Sequence, residues 1–240
     1  MVTAGNEIHK YADDTYLIVP ASNSSSISKE LDNVTRWAAI NNLKLNCNKS
    51  LEMIVSRHKG PAYNDPPALP GITRTKSLNI LGVTIDHHLS VADHVSSLVA
   101  GAHQNLYALK TLKTHGLSSN QLNSVFKSTL VARLAYASQA WIGYTSKSDQ
   151  NRLQAVLNKS QKWKVCATSQ PSFADTVAAA ENDLFRKVVG NTSHTLHALL
   201  PSIKTHDHFL RQRSHNYTLP NNNSAASRNF IHRMLFHNIY

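Results

Sequence analysis

From Leu89 onward the hydrophobic period of this chain is helical and stays so, whereas before it strand-like runs are interrupted by a single helical stretch. Before that point apolar residues fall into short runs rich in Val, Ile, Tyr and Thr, broken by Pro and Gly; after it they recur every three or four positions. A two-residue period gives a strand one apolar face, and a 3.6-residue period gives a helix one apolar stripe. Strand-like runs with one helix among them, followed by helices throughout, point to an α+β arrangement. With 240 residues, 41% of them hydrophobic, it can bury a real core as one large or two small domains.

The segments can be placed more finely. Residues 6–19 read as a hairpin whose arms are "NEIHKY" and "TYLIVP", with Asp13 and Asp14 between them and Pro20 ending the second arm. A helix capped by Ser26 or Ser28 is expected to run to about Asn42, with Ile27, Leu31, Val34, Trp37 and Ala38 at helical spacing. "LKLNCNKSLEMIVSR" returns to strand, Leu51, Met53 and Val55 alternating, and 60–71 is a Pro- and Gly-rich loop. Residues 76–86 read as a strand with a kink or tight turn at Gly82. Two helical stripes follow: Leu122, Phe126, Leu130, Leu134, Ala137 and Trp141, then Leu153, Val156, Leu157, Ser160 and Trp163. From about 166 shorter helices joined by polar loops are expected. These readings divide the chain into 1–90, 91–165 and 166–240.

Charge points to the partner. Twenty-five Lys and Arg against fourteen Asp and Glu give a formal charge of +11 and a pI near 9.7, which favours a polyanion, nucleic acid first among them. Six Lys or Arg lie between Lys44 and Lys76 against Glu52 and Asp65, and nine between Lys110 and Lys164 against Asp149 alone. Arg152 and Lys159, seven positions apart with Lys162 close by, form a basic ridge opposite an apolar stripe and are the candidate contacts to a nucleic-acid backbone. The two cysteines, Cys47 and Cys166, support neither a disulfide framework nor a zinc site, and a reducing compartment fits them. No signal core or membrane span is read, so an intracellular location and no membrane partner are expected. Trp37, Trp141 and Trp163 are expected as core anchors rather than base-stacking platforms. His87, His88, Asp93 and His94, like His206, Asp207 and His208, complete no tetrahedral ligand set and are expected at the surface.

Asp13 and Asp14 pose the sharpest question. Adjacent carboxylates repel, and dehydrating both beside an apolar strand is costly. Either solvent at a turn tip or divalent cations in a phosphoryl-transfer site would offset that cost.

Four ordered segments carry a resemblance. "YADD" at 11–14 with the strand "TYLIV", the following helix, "LKLNCNKS" at 43–50 and "LNILGVTID" at 78–86 resemble, in order and spacing, the later palm motifs of reverse transcriptases, most closely those of non-LTR retrotransposons. The helical remainder, including "LAYASQAW" and the last forty or so residues, looks like the thumb and the C-terminal region of such polyproteins. The resemblance implies a partial polymerase palm over 1–90, a helical thumb-like region over 91–165 and a C-terminal helical region over 166–240. It implies two-metal nucleotidyl transfer by an RNA-directed DNA polymerase, with Mg²⁺ or Mn²⁺, an RNA template, a DNA primer and deoxynucleotides in the intact parent, acting in cytoplasm and nucleus. Asp13 would be a direct metal ligand, Asp14 the second acid of the box, and Tyr11 would line the primer and template side. Lys49 matches a motif lysine that would neutralise leaving pyrophosphate, against the plainer reading of a surface lysine. Leu81, Gly82 and Val83 match a primer-grip hairpin, against the plainer reading of a buried strand.

The family also uses a metal-binding aspartate on an earlier palm strand, together with finger strands, upstream of the Tyr-x-Asp-Asp box. Only Glu7 among the residues before Tyr11 is acidic, and it lies on the hairpin's own arm. The expectation is a C-terminal fragment that does not by itself extend a primer, leaving a noncatalytic basic nucleic-acid-binding remnant as the alternative.

Overall fold

The computed structural model describes residues 2–56, 65–204, 215–221 and 226–237. The chain is a mixed α+β protein that divides into two compact units, Met1–Leu78 and Asn79–Tyr240. Among the described residues its strands form three separate two-stranded sheets.

In the first unit β1 (Glu7–Tyr11) and β2 (Asp14–Ile18) pair antiparallel from Glu7↔Ile18 to Tyr11↔Asp14, so the loop is the two residues Ala12 and Asp13. This is the expected hairpin. After Pro20 the chain makes a 3-10 turn over Ala21–Ser26 before α1 (Ile27–Ile40) begins. Ser26 precedes α1 without capping it. Its hydroxyl donates to the Asn23 carbonyl at 2.7 Å and accepts from Asn6 Nδ2 at 2.9 Å, and neither bond reaches a free helix amide. Trp37, expected in a core, is 48% exposed. The group over its indole is the Lys10 ammonium, 4.0 Å from the ring centroid, and a charged cover keeps that face wet.

Glu30 in the first turn of α1 is fully buried, a position no pattern in the sequence announces. Its Oε1 accepts from the Thr3 amide at 2.6 Å and from Asn6 Nδ2 at 3.0 Å, and its Oε2 from Asn33 Nδ2 at 3.4 Å. The Thr3 hydroxyl and amide, with help from Asn6 and Asn33 and against the opposing effect of burial, pull its pKa from the ordinary 4.5 to about 2. A depressed carboxylate stabilises the fold fully above the unfolded value and loses that contribution as pH falls from about 4.5 toward 2, with one proton taken up. Acid titration of stability should therefore show this one-proton slope in the native chain, and Glu30→Gln should flatten it; an unchanged slope in the variant would place the acid sensitivity elsewhere.

The expected strand over 43–57 is largely absent among its described residues. Cys47–Lys49 forms a 3-10 turn, and only Leu51–Glu52 (β3) is strand, paired in parallel with Thr73–Arg74 (β4). Leu51 and Val55 stay exposed, so the Leu51-Met53-Val55 alternation has no apolar surface to bury against. What fixes the pair is Arg74, whose Nε donates to Glu52 Oε2 at 2.7 Å while its two Nη atoms donate to the carbonyls of Pro66 and Pro67. Of the expected 60–71 loop, residues 60–64 lie outside the described residues, and the remainder is irregular.

The division into units falls within β5 (Ser77–Ile80), which turns through Leu81 and Gly82 into β6 (Val83–Asp86). Both turn residues have positive φ, 49° and 87°, as the favoured two-residue hairpin turn demands. Gly82 takes this freely, whereas a leucine there costs roughly 1–2 kcal/mol. The turn is held from two sides: Asn79 Oδ1 accepts from the Gly82 amide at 3.0 Å, and the Tyr136 hydroxyl donates to the Leu81 carbonyl at 3.0 Å.

Helices then dominate: α2 (Ala92–Thr114), α3 (Ser119–Val125), α4 (Ala132–Ala135), α5 (Ser138–Trp141), α6 (Lys147–Lys162), α7 (Phe173–Gly190) and α8 (Phe230–Phe236). Between α3 and α4, Phe126–Val131 winds as a π-helical segment. Leu122, Phe126, Leu130 and Leu134 are spaced by four each, and all are buried. A strict four-residue repeat drifts off one face of a 3.6-residue helix, and the looser π turn brings it back, so one continuous stripe meets α2. The sequence stripe is thus confirmed while its winding differs. The chain breaks at Ala137, with φ of 49°, and Trp141 follows at 1% exposure. Ser118, Ser146 and Ser172 cap α3, α6 and α7 in reciprocal boxes with Gln121, Asp149 and Asp175.

The main core runs from Val91 to Val177, taking in Val165 and Phe173, with Val83 and Ile85 of β6 packed on it. The segment limit read at 165 thus falls inside one continuous core, whose first buried residue is Val91. A second cluster joins Val188 of α7 to Phe230, Ile231, Met234 and Leu235 of α8, so α7 serves both. At eighteen residues α7 is longer than the short helices expected of the tail, because it spans two apolar clusters. Gly143 lies where a Cβ would strike the Arg228 carbonyl and the Arg233 guanidinium, so its bareness permits the approach of the chain leading into α8. His94, expected at the surface, is 5% exposed and set edge-on to Trp141 at 5.2 Å. Its first-turn position on α2 turns it inward with Val95 and Leu98, and burial holds its imidazole below the ordinary 6.5. His206, Asp207 and His208 lie outside the described residues.

Candidate functional site

The Asp pair occupies the tip of the first hairpin. Asp13 is the second loop residue and Asp14 the first residue of β2, both exposed. Ala12, with φ of 52°, sets the turn in a left-handed conformation that costs a non-glycine residue roughly 1–2 kcal/mol, so the loop is tight. Asp14 Oδ2 accepts from the Tyr16 hydroxyl at 3.4 Å, two residues along on the same face. Tyr11, paired across from Asp14, is 65% exposed. Among the described residues no Lys, Arg or His forms an ion pair with either acid; the neighbouring Lys10 is turned onto Trp37, and Glu7 is paired with His9 at 3.0 Å. Two carboxylates, neither in an ion pair among the described residues and only Asp14 holding a side-chain hydrogen bond, thus face solvent on a narrow support.

Their chemistry suits one kind of guest. Among the described residues no three His, Cys, Asp or Glu side chains gather as a ligand set. Mg²⁺ is commonly held by one or two carboxylates and completes its octahedral shell with waters and substrate phosphates. That is the donor set Asp13 and Asp14 offer, fitting an ion that arrives with a phosphorylated substrate rather than one caged by protein.

Lys49 ends the 3-10 turn at Cys47–Lys49, its backbone amide held by the Asn46 side chain at 3.2 Å. Its amine is exposed, and among the described residues no hydrogen bond or ion pair joins it to Asp13 or Asp14. Leu81, Gly82 and Val83 lie in the second unit. They form the turn and first residue of a true hairpin, with Leu81 exposed and Val83 packed on the main core.

The three basic candidates of α6 have separate fates. Arg152 Nη1 pairs with Asp149 at 3.2 Å and its Nη2 donates to Ser96 Oγ of α2 at 3.1 Å, so it braces two helices. Lys159 places its ammonium 4.8 Å from the Trp163 ring centroid, and Lys162 is exposed. Trp163 is half-buried, and α2 approaches it from the other side. Lys110 sits 5.0 Å from the same centroid, and Lys113 Nζ donates to the Trp163 carbonyl at 2.8 Å. Periodicity along one helix could not reveal this cluster, since its lysines come from two. Cys47 is exposed and Cys166 half-buried, both free thiols, and burial pushes the Cys166 thiol up.

No family model, curated protein or solved structure matches the chain. Among the described residues no helix is long and apolar enough to cross a membrane.

Proposed function

We propose that this chain is part of an RNA-directed DNA polymerase of the non-LTR retrotransposon type, in which Asp13 and Asp14 serve nucleotidyl transfer between a DNA primer and deoxynucleotides on an RNA template. The observation that carries the proposal is the exposed hairpin tip, with Asp13 in its two-residue turn and Asp14 at the start of β2, and no cation paired to either among the described residues. On this reading the first unit is palm and the helices of the second are thumb and C-terminal region. Divalent ions, when bound, lower the cost of the attacking 3′-oxyanion and of the leaving pyrophosphate. The residues of the chain do the rest. Asp13 and Asp14 hold negative charge at a fixed spacing on a rigid turn, Tyr11 offers an aromatic face beside them, and Lys49 meets phosphate charge. The tip of the second hairpin, Leu81 to Val83, receives the primer backbone, with Gly82 allowing close approach.

Terbium, a hard trivalent ion that substitutes for Mg²⁺ and is sensitised by nearby tyrosine, tests the pair directly, because Tyr11 and Tyr16 flank it. Loss of an outer-shell partner already costs roughly 10–100-fold in metal affinity, so loss of a direct ligand should cost no less. Saturable terbium luminescence displaced by Mn²⁺ is expected in the native chain, with at least a tenfold weaker signal midpoint in Asp13→Asn/Asp14→Asn. Equal titrations of the two proteins would remove the basis of the proposal.

A further inference from the structure

The ends of α2 and α6 meet at a patch whose lysines form no ion pair among the described residues. Lys110 and Lys113 come from α2, Lys159 and Lys162 from α6, and Trp163 stands between them. Lys110, Lys113, Thr114 and Trp163 line a hollow of about 330 Å³, within the size range of small-ligand clefts. Lysines at helix C-termini complement the helix dipole, and Lys113, which donates to the Trp163 carbonyl, does that. One or two cations would suffice for the purpose. Four around one indole repel each other, and the ring face offsets only part of that repulsion.

Among the described residues no acid forms an ion pair with these lysines, and Asp93, at the start of α2, lies at the opposite end of that helix. From His94 to Ala174 the only acidic residue is Asp149, which caps α6 at its far end and pairs with Arg152. Asp86 accepts from the His88 and Ser90 amides, Asp175 is bound in the Ser172 box, Glu181 pairs with Arg233, and Asp183 with Lys187. Repelling charges thus surround a partly open aromatic face.

From this we infer that the α2–α6 end is a binding site for single-stranded nucleic acid. Phosphates, met also by the exposed Lys162, would draw the ammoniums of Lys110 and Lys159 off the indole, and the ring face of Trp163 would take a base in their place. Both halves of the site are then used: the charge by the backbone, the ring by a base of any sequence. An acidic peptide would satisfy the charge alone. The site uses no residue of the Asp13–Asp14 hairpin, so it stands or falls apart from the polymerase proposal.

Binding of fluorescein-labelled oligouridylate to the full chain, followed by anisotropy, tests it. Four lysine–phosphate contacts predict a slope of log K against log salt near −3, taking about −0.7 per single-strand phosphate. Lys110→Gln/Lys162→Gln leaves the Lys113–Trp163 bond intact and should halve that slope, and Trp163→Ala should weaken binding at least fivefold at fixed salt. Trp163→Phe, which keeps a ring and guards against a folding artefact, should restore most of it. No saturable binding at low salt, affinity indifferent to Trp163→Ala, or polyglutamate binding as tightly as the oligonucleotide would each overturn the inference.

Discussion

Trp141→Ala should be the most destabilising single aromatic truncation in the second unit, costing about 3–5 kcal/mol. The side chain is 1% exposed in the main core. It takes the His94 ring at its edge at 5.2 Å and stacks on Phe173 of α7 at 6.3 Å, so three helices lose a shared contact when it goes. Its indole nitrogen also donates to the Tyr136 carbonyl at 3.0 Å. That carbonyl lies beside the break at Ala137, where no regular helical bond can satisfy it. Trp141→Phe keeps most of the apolar contact but leaves the carbonyl without its donor, so a smaller loss of roughly 1–3 kcal/mol is expected. Against a typical total of about 5–15 kcal/mol, the alanine variant forfeits a large fraction of the unit's stability.

The effect should also reach the second hairpin. Tyr136 joins Trp141 through its carbonyl and Leu81 through its hydroxyl, so the indole steadies the strained Leu81–Gly82 turn through one intermediary. Urea unfolding followed by circular dichroism measures the global loss, and amide exchange at Gly82 measures the local one. A Trp141→Ala protein that unfolds within 1 kcal/mol of native, with Gly82 exchange unchanged, would show that the core closes without this ring.

The two halves of the chain were not equally legible. Helices after residue 92 announce themselves because a core contacts them from one side, and Leu122 to Leu134 or Leu153 to Leu157 record that contact in their spacing. The π winding at Phe126–Val131 went unread, although the unbroken four-residue spacing from Leu122 to Leu134, which drifts off one face of an α-helix, is a trace of it. Burial of His94 or Glu30 leaves no such mark. Each sits at a position whose neighbours decide it: His94 lies under Trp141, far along the chain, and Glu30 is wrapped by Thr3 and Asn6. In the first unit the alternation at Leu51, Met53 and Val55 misleads, because a period of two reports an available face and says nothing of what covers it. Trp37 fails for the same reason, with Lys10 as its cover. The hairpin bearing Asp13 and Asp14, by contrast, was readable to within one residue: the β-rich arms leave 12–14 for the turn, and the structure turns at Ala12 and Asp13 with Asp14 opening β2. Around Trp163 only Lys159 and Lys162 could be found from one helix's spacing; Lys110 and Lys113 enter through the packing of α2 against α6.

Removing the charge of Arg233 should be nearly as costly as removing Trp141, for an opposite reason. Arg233 of α8 passes over Gly143, pairs with Glu181 of α7, and donates also to the carbonyls of Gln139 and Arg228. The two side chains are only 20% and 15% exposed, so neither charge can recover its water while α8 stays docked. Arg233→Met leaves the Glu181 carboxylate and two carbonyls without a donor, and breaking a buried pair from one side costs about 3–5 kcal/mol. The response should be local first: the apolar cluster of Phe230, Ile231, Met234 and Leu235 must then hold α8 to α7 unaided, and amides of α8 should exchange faster than those of α2. Glu181→Leu/Arg233→Met removes both charges and should regain most of the loss, because an apolar pair carries no desolvation penalty. A double-mutant cycle in urea therefore decides between two accounts. A double variant as unstable as Arg233→Met alone would mean that the carbonyl bonds of Arg233, and not its charge partner, attach the helix.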